Sequence, residues 1–329
     1  MTIYSNEDSN DIQRNYQPYK KKFDSMLYVI SCIFSPFGQD IRTKLAQEYI
    51  ERLEKLKKKG FPVQICVIEM LYPNQESFIV VNDKQFYRQI RYEHEGIYLF
   101  NKENLINVAV QEMLPTDWKY MAWIDADIEF KNPLWSIKTI EKFEKERCDI
   151  IQLFSVCRNL DKDGLPSDYF HSSIKTHYDK NFKKKYGHPG YAWACTRRAY
   201  DKMRGLFEFA IVGGGDSIMS FCLLDKVKTL EKLYEGNPNF IAAIHKFYKK
   251  VEGFHVGYLD VVIVHYYHGE RKNRMYHTRR SIIIDSLYLP KRDLMKPFEE
   301  FGLLIPTKEF YDKISNGITK YFHTRKEIG

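Results

Sequence analysis

Short apolar runs alternate with helical periods over the first part of the chain. Residues 26–34 are almost entirely apolar, as expected of a strand buried on both faces of a parallel sheet. Over residues 42–59 apolar side chains recur every three or four positions, which predicts a helix that ends at Gly60. Residues 61–70 form a second apolar run. Strand, helix and strand in this order predict a doubly wound α/β sheet, whose ligands bind beyond the carboxyl ends of its strands.

The same alternation continues toward the carboxyl terminus. Further helices are predicted over residues 102–114, 138–147, 197–204, from Asp216 onward and within a helical insertion at 226–253. Further strands are predicted over residues 120–124, 149–157 and 258–265, with a mixed segment at 191–196. Residues 159–185 are polar and contain Gly164 and Pro166, which predicts a long mobile loop.

These elements predict a single α/β domain with a mostly parallel central sheet flanked by helices. The domain is expected to occupy residues 24–290. Residues 1–23 are polar without any hydrophobic period, which predicts a tail, and residues 291–329 are expected to form a helical extension.

Composition and charge narrow the classes of partner. The 51 basic and 43 acidic residues are interspersed, so the net charge of +8 does not form the basic block expected of a nucleic-acid-binding protein. Small ligands that carry phosphate groups remain compatible with this net charge. The six cysteines are far apart, which predicts reduced thiols. No run approaches the roughly 18 apolar residues of a membrane span, so a soluble, cytoplasmic protein is expected. The oligomeric state stays open.

Two carboxylates follow a predicted buried strand. Asp125 and Asp127 are two positions apart in extended chain, so their side chains point to the same side. Like charges this close repel, and Mg²⁺ or Mn²⁺ with phosphate oxygens relieves that repulsion. The pair therefore predicts a metal and phosphate site, with solvated loop acids as the alternative.

A second polar cluster follows the last predicted strand. His265 and His268 are succeeded by Arg271, Lys272 and Arg274. Imidazole is a good Mn²⁺ ligand, and the cations can neutralise a diphosphate. The sequence alone leaves open which of the two histidines would bind the metal.

Three consecutive glycines precede Asp216. Gly213, Gly214 and Gly215 allow the backbone to approach a ligand closely, and the aspartate begins the predicted helix. Helix capping alone would not require three glycines, so Asp216 is expected to be a catalytic carboxylate.

Several segments, taken in chain order, together resemble one enzyme family. They are Ser35-Pro36-Phe37 with Arg42 downstream, residues 100–108 with Lys102 and Asn107, residues 123–128, residues 188–193 with Trp193, residues 213–216 and residues 265–268. They resemble, respectively, the nucleotide-binding loop, FNR/K segment, DxD strand, acceptor strand, GGxD element and metal histidine of the β-1,4-galactosyltransferases and the related polypeptide GalNAc-transferases. The chain also resembles soluble glycosyltransferases of large DNA viruses and phages, for which the location would be the host cytosol.

The resemblance implies a GT-A, Rossmann-like fold and an inverting hexosyltransferase that uses Mn²⁺ or Mg²⁺ and a UDP-sugar. Asp127 with His265 or His268 would hold the metal, Asp125 would lie near the ribose, and Asp216 would take the proton of a hydroxyl on a glycan or glycoprotein acceptor. Trp193 would offer a face to a sugar ring, or be an ordinary core tryptophan. The remaining donor-site residues expected are Ser35, Pro36, Arg42, Lys102, Asn107, Gly214, Gly215 and Arg271.

The chain departs from this family in two respects. Asp216 is followed by Ser217 and Ile218 rather than by further acids, which leaves the acceptor contacts open. The animal enzymes are anchored in membranes and carry disulfides, and neither feature is expected here. The alternatives are a retaining GT-A transferase, a sugar nucleotidyltransferase, or a non-catalytic module that binds carbohydrate or nucleic acid.

Overall fold

The structure is a computed structural model that describes residues 25–37, 40–77, 79–179, 187–276, 278–296 and 302–325. The predicted polar tail at residues 1–23 lies outside the described residues. In the part of the chain that is described, no helix is both long enough and apolar enough to cross a bilayer. None of the six cysteines forms a disulfide in the structure.

The described residues form strands and helices that alternate through most of the chain. The strands are β1 (Leu27–Phe34), β2 (Val63–Leu71), β3 (Tyr87–Arg91), β4 (Tyr120–Ile124), β5 (Ile128–Phe130), β6 (Ile150–Gln152), β7 (Val156–Leu160), β8 (Pro166–His171), β9 (Ala192–Thr196), β10 (Val256–Tyr258), β11 (Val262–His265), β12 (Leu294–Met295) and β13 (Ile305–Pro306). The helices are α1 (Asp40–Lys58), α2 (Lys102–Met113), α3 (Trp135–Glu146), α4 (Ser173–Tyr178), α5 (Arg197–Met203), α6 (Gly215–Leu223), α7 (Val227–Leu233), α8 (Pro238–Val251), α9 (Arg280–Asp285), α10 (Pro290–Asp293) and α11 (Lys308–Thr324).

Seven strands form a central sheet in the order β10-β6-β9-β4-β1-β2-β3. All neighbouring pairs are parallel except those of β9, which runs antiparallel to both β4 and β6. The interior strands are apolar without alternation because helices cover both faces of the sheet, and every residue of β2 is buried. The predicted α/β class with a mostly parallel central sheet is therefore confirmed.

Two hydrophobic cores lie on opposite faces of this sheet. On one face α1 packs Tyr49 and Ile50 against Val29 of β1. On the other face α2 packs Leu105 against Ile30, the next residue of the same strand. Because neighbouring side chains of a strand point to opposite faces, the apolar run of β1 supplies both cores. The flanking helices are thus confirmed on both sides.

A second sheet, in the order β5-β11-β7-β8, carries the acidic and histidine segments next to the first sheet. Two strands predicted as continuous are each divided between the two sheets: residues 149–157 give β6 and β7, and residues 258–265 give β10 and β11. The predicted loop at 159–185 was wrong over most of its described length, because β8 pairs with β7 and α4 follows it. Apolar content alone does not report which sheet a short strand joins.

The carboxyl-terminal helix α11 packs on the same core as α2. Its inward residues Phe310, Ile314 and Ile318 are buried in that core. The Tyr288 ring stacks on the Phe310 ring, with 5.0 Å between the two ring centroids. The helix predicted in this region is present, and it is preceded by the short strands β12 and β13.

Candidate active site

A cavity of about 780 Å³ opens beyond the carboxyl ends of β1, β2 and β4. This is the edge of a parallel sheet at which ligands bind in doubly wound folds. Ser35 follows β1, and Asp125 follows β4. The rest of the wall comes from α1 and α2, the second sheet and the turn leading into it, the turn before α6, the segment between β11 and α9, and the end of α11. Its lining residues include Arg42, Lys102, Glu103, Asp127, Gly214, Asp216, His265, Arg274, Arg279 and Arg325.

Asp127, His265 and His268 meet at one side of the cavity. Asp127 lies in the turn between β4 and β5, directly before Ile128. The antiparallel pairing of β5 with β11 sets His265 opposite Ile128 and so brings His265 close to Asp127. His268 Nε2 is 3.0 Å from Asp127 Oδ2 and 3.3 Å from His265 Nε2. One ligand atom from each residue lies within 4.8 Å of the others, which is the spacing needed to surround one ion.

The hydrogen-bonding groups of this cluster are in conflict without an ion. His268 Nε2 faces Asp127, His265 and the Arg274 guanidinium, whose NH2 is 2.7 Å away. A ring nitrogen cannot donate to Asp127 and accept from Arg274 at the same time. Asp127 Oδ1 is buried and has no hydrogen-bond partner among the described residues. An ion coordinated by Nε2 and the carboxylate would satisfy both atoms once Arg274 withdraws from Nε2.

The protonation states of two of these groups suit metal binding. Burial lowers the pKa of His265 to about 3, with Asp127 pulling the other way, so its imidazole is neutral near pH 7. Burial would raise the pKa of Asp127, but His268 and His265 hold it well below its usual value. A neutral imidazole and an ionised carboxylate are the forms in which these side chains bind a metal.

Lys102 joins two carboxylates that are distant in sequence. Its Nζ lies 2.9 Å from Asp125 Oδ1 and 2.8 Å from Asp216 Oδ2. Burial would lower the pKa of Lys102, yet the two carboxylates raise it well above its usual value, so the ammonium stays protonated. Burial raises the pKa of Asp125, and the Asp216 and Asp127 carboxylates add to this while Lys102 opposes it. Lys102 therefore fixes the distance between Asp125, in the turn after β4, and Asp216, at the start of α6.

The turn before α6 presents Asp216 to the cavity. Gly213 and Gly214 have φ values of 78° and 94°, a conformation that side chains other than glycine rarely adopt. Gly215 begins α6 and has its own constraint, because a Cβ there would overlap the buried carboxyl group of Glu103. Burial raises the pKa of Glu103 to about 8. The three glycines are thus required by backbone conformation and by close packing.

The predicted nucleotide-binding loop reaches the cavity in part. Ser35 lines it, and its Oγ is buried without a hydrogen-bond partner among the described residues. Arg42 also lines the cavity, with NH2 3.5 Å from His268 Nδ1. Pro36 lies just outside, and its carbonyl accepts a hydrogen bond from Gln75 Nε2 at 3.2 Å. An unpaired buried hydroxyl and a guanidinium that line one cavity are suited to a phosphate or sugar oxygen.

Three predicted site residues lie away from the cavity. Asn107 is buried in the core. Its side-chain amide donates hydrogen bonds to the Leu206 carbonyl and the Glu208 carboxylate, and it accepts one from the Leu206 backbone N–H. Trp193 is fully buried, stacks on Trp123 at 6.5 Å between ring centroids, and so has no face to offer a sugar. Its core alternative is the arrangement observed. Arg271 is held outside by Asp168, with NH1 3.0 Å from Oδ2.

Several cavity residues were missed by the sequence reasoning. In the sequence, Arg274 is one of three cations after the histidines, and nothing in the pattern distinguishes it from Arg271. The structure separates them because residues 271–274 form a 3₁₀ turn that carries Arg274 inward. Arg279 and Arg325 follow this turn and α11, respectively, and neither belongs to a recognisable motif. Glu103 lies within the segment that contains Lys102, yet its burial was not apparent.

Comparisons with known proteins give distant likenesses only. No protein-family model matches the chain, and no curated protein matches it by sequence. Among solved structures, a mannosyltransferase from Pyrobaculum calidifontis in complex with GDP-Man and Mn²⁺ is similar at 12% identity and a TM-score of 0.42, covering 92% of this chain and 74% of that chain.

Two further solved structures are similar at lower scores. The catalytic domain of Drosophila β1,4-galactosyltransferase 7 in complex with xylobiose has 13% identity and a TM-score of 0.34, covering 71% of this chain and 64% of that one, less than two thirds of its length. Glucosyl-3-phosphoglycerate synthase from Mycobacterium tuberculosis with Mg²⁺ and UDP has 9% identity and a TM-score of 0.37, covering 82% of each chain. With TM-scores below 0.5, these likenesses are too distant to carry function over to this chain.

Proposed function

We propose that this chain is a metal-dependent glycosyltransferase of the GT-A type, which transfers a sugar from a UDP-sugar to a hydroxyl acceptor with inversion. The observation that carries the proposal is one cavity that holds two kinds of group. The cluster of Asp127, His265 and His268 suits a divalent ion, and Asp216 is a separate carboxylate that is free of that cluster. A donor diphosphate and an acceptor hydroxyl need those two groups.

Asp127, His265 and His268 would hold Mn²⁺. Mg²⁺ could bind there too, but it prefers oxygen ligands and would gain less from the two imidazole nitrogens. When bound, the ion supplies a Lewis acid that stabilises the charge developing on the leaving diphosphate. Arg42 and Arg274, which both contact His268, lie where they can add to that stabilisation. Ser35 would contribute its unpaired hydroxyl to the nucleotide, and Asp125, two residues before Asp127, would contact the ribose.

Asp216 would act as the general base. Its carboxylate accepts the proton of the acceptor hydroxyl while that oxygen forms a bond to the anomeric carbon and the bond to the diphosphate breaks. Attack from the face opposite the leaving group inverts the anomeric configuration. Lys102 contacts both Asp216 and Asp125 and so holds the two carboxylates at a set distance. The general base would then keep its position relative to the donor sugar.

The test is a panel of nucleotide sugars assayed for nucleotide release with and without Mn²⁺. We expect UDP release from at least one UDP-sugar, loss of release on chelation, and loss in Asp127→Ala because the carboxylate ligand is gone. Asp216→Asn should lower kcat for transfer by about 100-fold or more while Mn²⁺–UDP affinity is retained. Asp201→Asn, an exposed aspartate on α5, is the matched control and should retain activity.

Four results would contradict the proposal. Equal turnover with chelator or in Asp127→Ala would remove the metal's role. Release of pyrophosphate instead of UDP would mark a sugar nucleotidyltransferase, and a product with the donor's anomeric configuration would mark a retaining enzyme. Glycan or oligonucleotide binding that is indifferent to both Mn²⁺ and UDP would favour a non-catalytic binding module.

A further inference from the structure

A second group of cations lines the cavity beside the turn that carries Asp216. The guanidinium of Arg279 packs against this turn, because a Cβ on Gly213 would lie 3.2 Å from its NH1 and a Cβ on Gly214 would lie 3.6 Å from its NH2. Arg325, at the end of α11, stacks its guanidinium over the Phe100 ring at 5.2 Å. Both arginines line the same cavity as Asp216.

One buried phenol holds the two guanidinium groups together. Arg279 NH1 donates to the Tyr321 hydroxyl at 3.0 Å, and Arg325 NH1 donates to it at 3.1 Å. Tyr321 is fully buried behind them on α11, and both guanidinium groups lie over its ring. Burial would raise the pKa of the Tyr321 phenol, yet Arg325 and Arg279 lower it. The phenol thus orients two like charges side by side at the cavity wall.

This arrangement is one that an anion would stabilise. Two guanidinium groups next to a single oxygen repel each other, and an anion between them relieves the repulsion. The Arg279 guanidinium forms no ion pair with a carboxylate of the described residues, and its hydrogen bond to a described residue is the one that NH1 donates to Tyr321. The planar donor pair that remains on Arg279 matches a carboxylate or phosphate group.

The position of Arg279 indicates which substrate would supply the anion. The donor diphosphate has its own cations at the metal cluster, where Arg42 and Arg274 contact His268. Arg279 instead lies against Gly213 and Gly214, directly before Asp216. A general base must come within hydrogen-bond distance of the acceptor hydroxyl, so the acceptor is the substrate nearest to Arg279.

Resting on the proposed function, we propose that Arg279 and Arg325, oriented by Tyr321, form an anion-binding subsite for the acceptor, and that the enzyme glycosylates a sugar that carries a carboxylate or phosphate group close to the accepting hydroxyl.

The first experiment measures binding independently of turnover. Methyl glucuronide, glucose 6-phosphate and neutral methyl glucoside are titrated into the full chain in the presence of Mn²⁺ and UDP. We expect at least one anionic sugar to bind about tenfold or more tightly than the neutral one. Arg279→Met should remove this preference, and Arg279→Lys should retain part of it because the charge stays while the planar fork is lost.

Two further variants serve as matched tests. Arg280→Met removes the neighbouring arginine, which does not line the cavity, and should keep the preference for the anionic sugar. Tyr321→Phe keeps the ring but removes the oxygen that both arginines contact, and should weaken the preference severalfold. The carboxylate and phosphate probes both carry their anion at C6 of a glucose ring, so their ranking indicates which anion the subsite prefers.

Equal binding of charged and neutral sugars, or a preference unchanged in Arg279→Met, would overturn the inference. A loss of Mn²⁺–UDP affinity in Arg279→Met as large as its loss for the anionic sugar would assign Arg279 to the donor and overturn it as well. Turnover without any charge preference among acceptors would overturn this inference alone. Failure of every nucleotide sugar to release UDP would overturn the proposed function, and with it the acceptor role.

Discussion

At the scale of single residues, the same side-chain type has different roles according to where its backbone places it. Arg274 points into the cavity and contacts His268, whereas Arg271, three residues earlier, is half-exposed and bound to Asp168. The two tryptophans Trp123 and Trp193 stack between the strands β4 and β9 and are both buried. Neither is available to a sugar, so both rings contribute to the core rather than to ligand stacking.

Trp193→Phe should destabilise the protein by about 1–3 kcal/mol, because the smaller ring leaves part of the core unfilled and the indole no longer donates to the Pro189 carbonyl. Chemical denaturation measures the loss. Trp123→Phe is the matched control, because the Trp123 indole is the stacking partner of Trp193. This variant should lose a similar amount of unfolding free energy. A large rise in acceptor KM for Trp193→Phe but not for Trp123→Phe would return Trp193 to the acceptor site.

At the scale of elements, the site depends on how closely α2 and α6 approach each other. Lys102 and Glu103 are the first two residues of α2, and they contact the start of α6 at Asp216 and Gly215. The segment around Lys102 was recognised from the sequence as part of a binding motif. That its ammonium bridges Asp125 and Asp216 could not be predicted, because the contact joins residues 23 and 114 positions away.

Gly215→Ala should lower both stability and transferase activity. The added methyl group overlaps the buried Glu103 carboxyl group, and the resulting shift moves Asp216 relative to Lys102. We expect a stability loss of about 1–3 kcal/mol by thermal or chemical denaturation. The double variant Gly215→Ala/Glu103→Ala removes the overlapping group and should recover part of that loss. Additive losses in the double variant would show that the two side chains do not compete for the same space.

At the scale of the whole molecule, the carboxyl-terminal helix links the hydrophobic core to the cavity. Phe310 and Ile314 of α11 are buried with residues of α2, and Tyr321 and Arg325 at its other end reach Arg279 and the cavity wall. Residues predicted as an extension of the domain therefore take part in its core and in its site. The apolar period of α11 could predict that it packs, but not the surface that it covers.

Phe310→Ala should destabilise the protein by about 3–5 kcal/mol, since the ring is buried and stacks on Tyr288. Because α11 shares the core, we expect a single unfolding transition at a lower temperature. Asp312→Ala, an exposed position on the same helix, should change stability by no more than about 0.5 kcal/mol. A separate early transition in Phe310→Ala would indicate that α11 unfolds independently of the rest of the molecule.

The α/β class follows from the sequence alone, because unbroken apolar strands and helical periods reflect which faces must be buried. It also indicated Asp125, Asp127, Asp216, His265 and His268 as site candidates, because each lies within three residues of the end of a strand or at the start of a helix. Only the folded structure shows the other features. They are the division of strands between two sheets, the bridging by Lys102, the burial of Trp193, and the inward position of Arg274, Arg279 and Arg325. Those features depend on contacts between distant segments, and side-chain type and local spacing carry no information about such contacts.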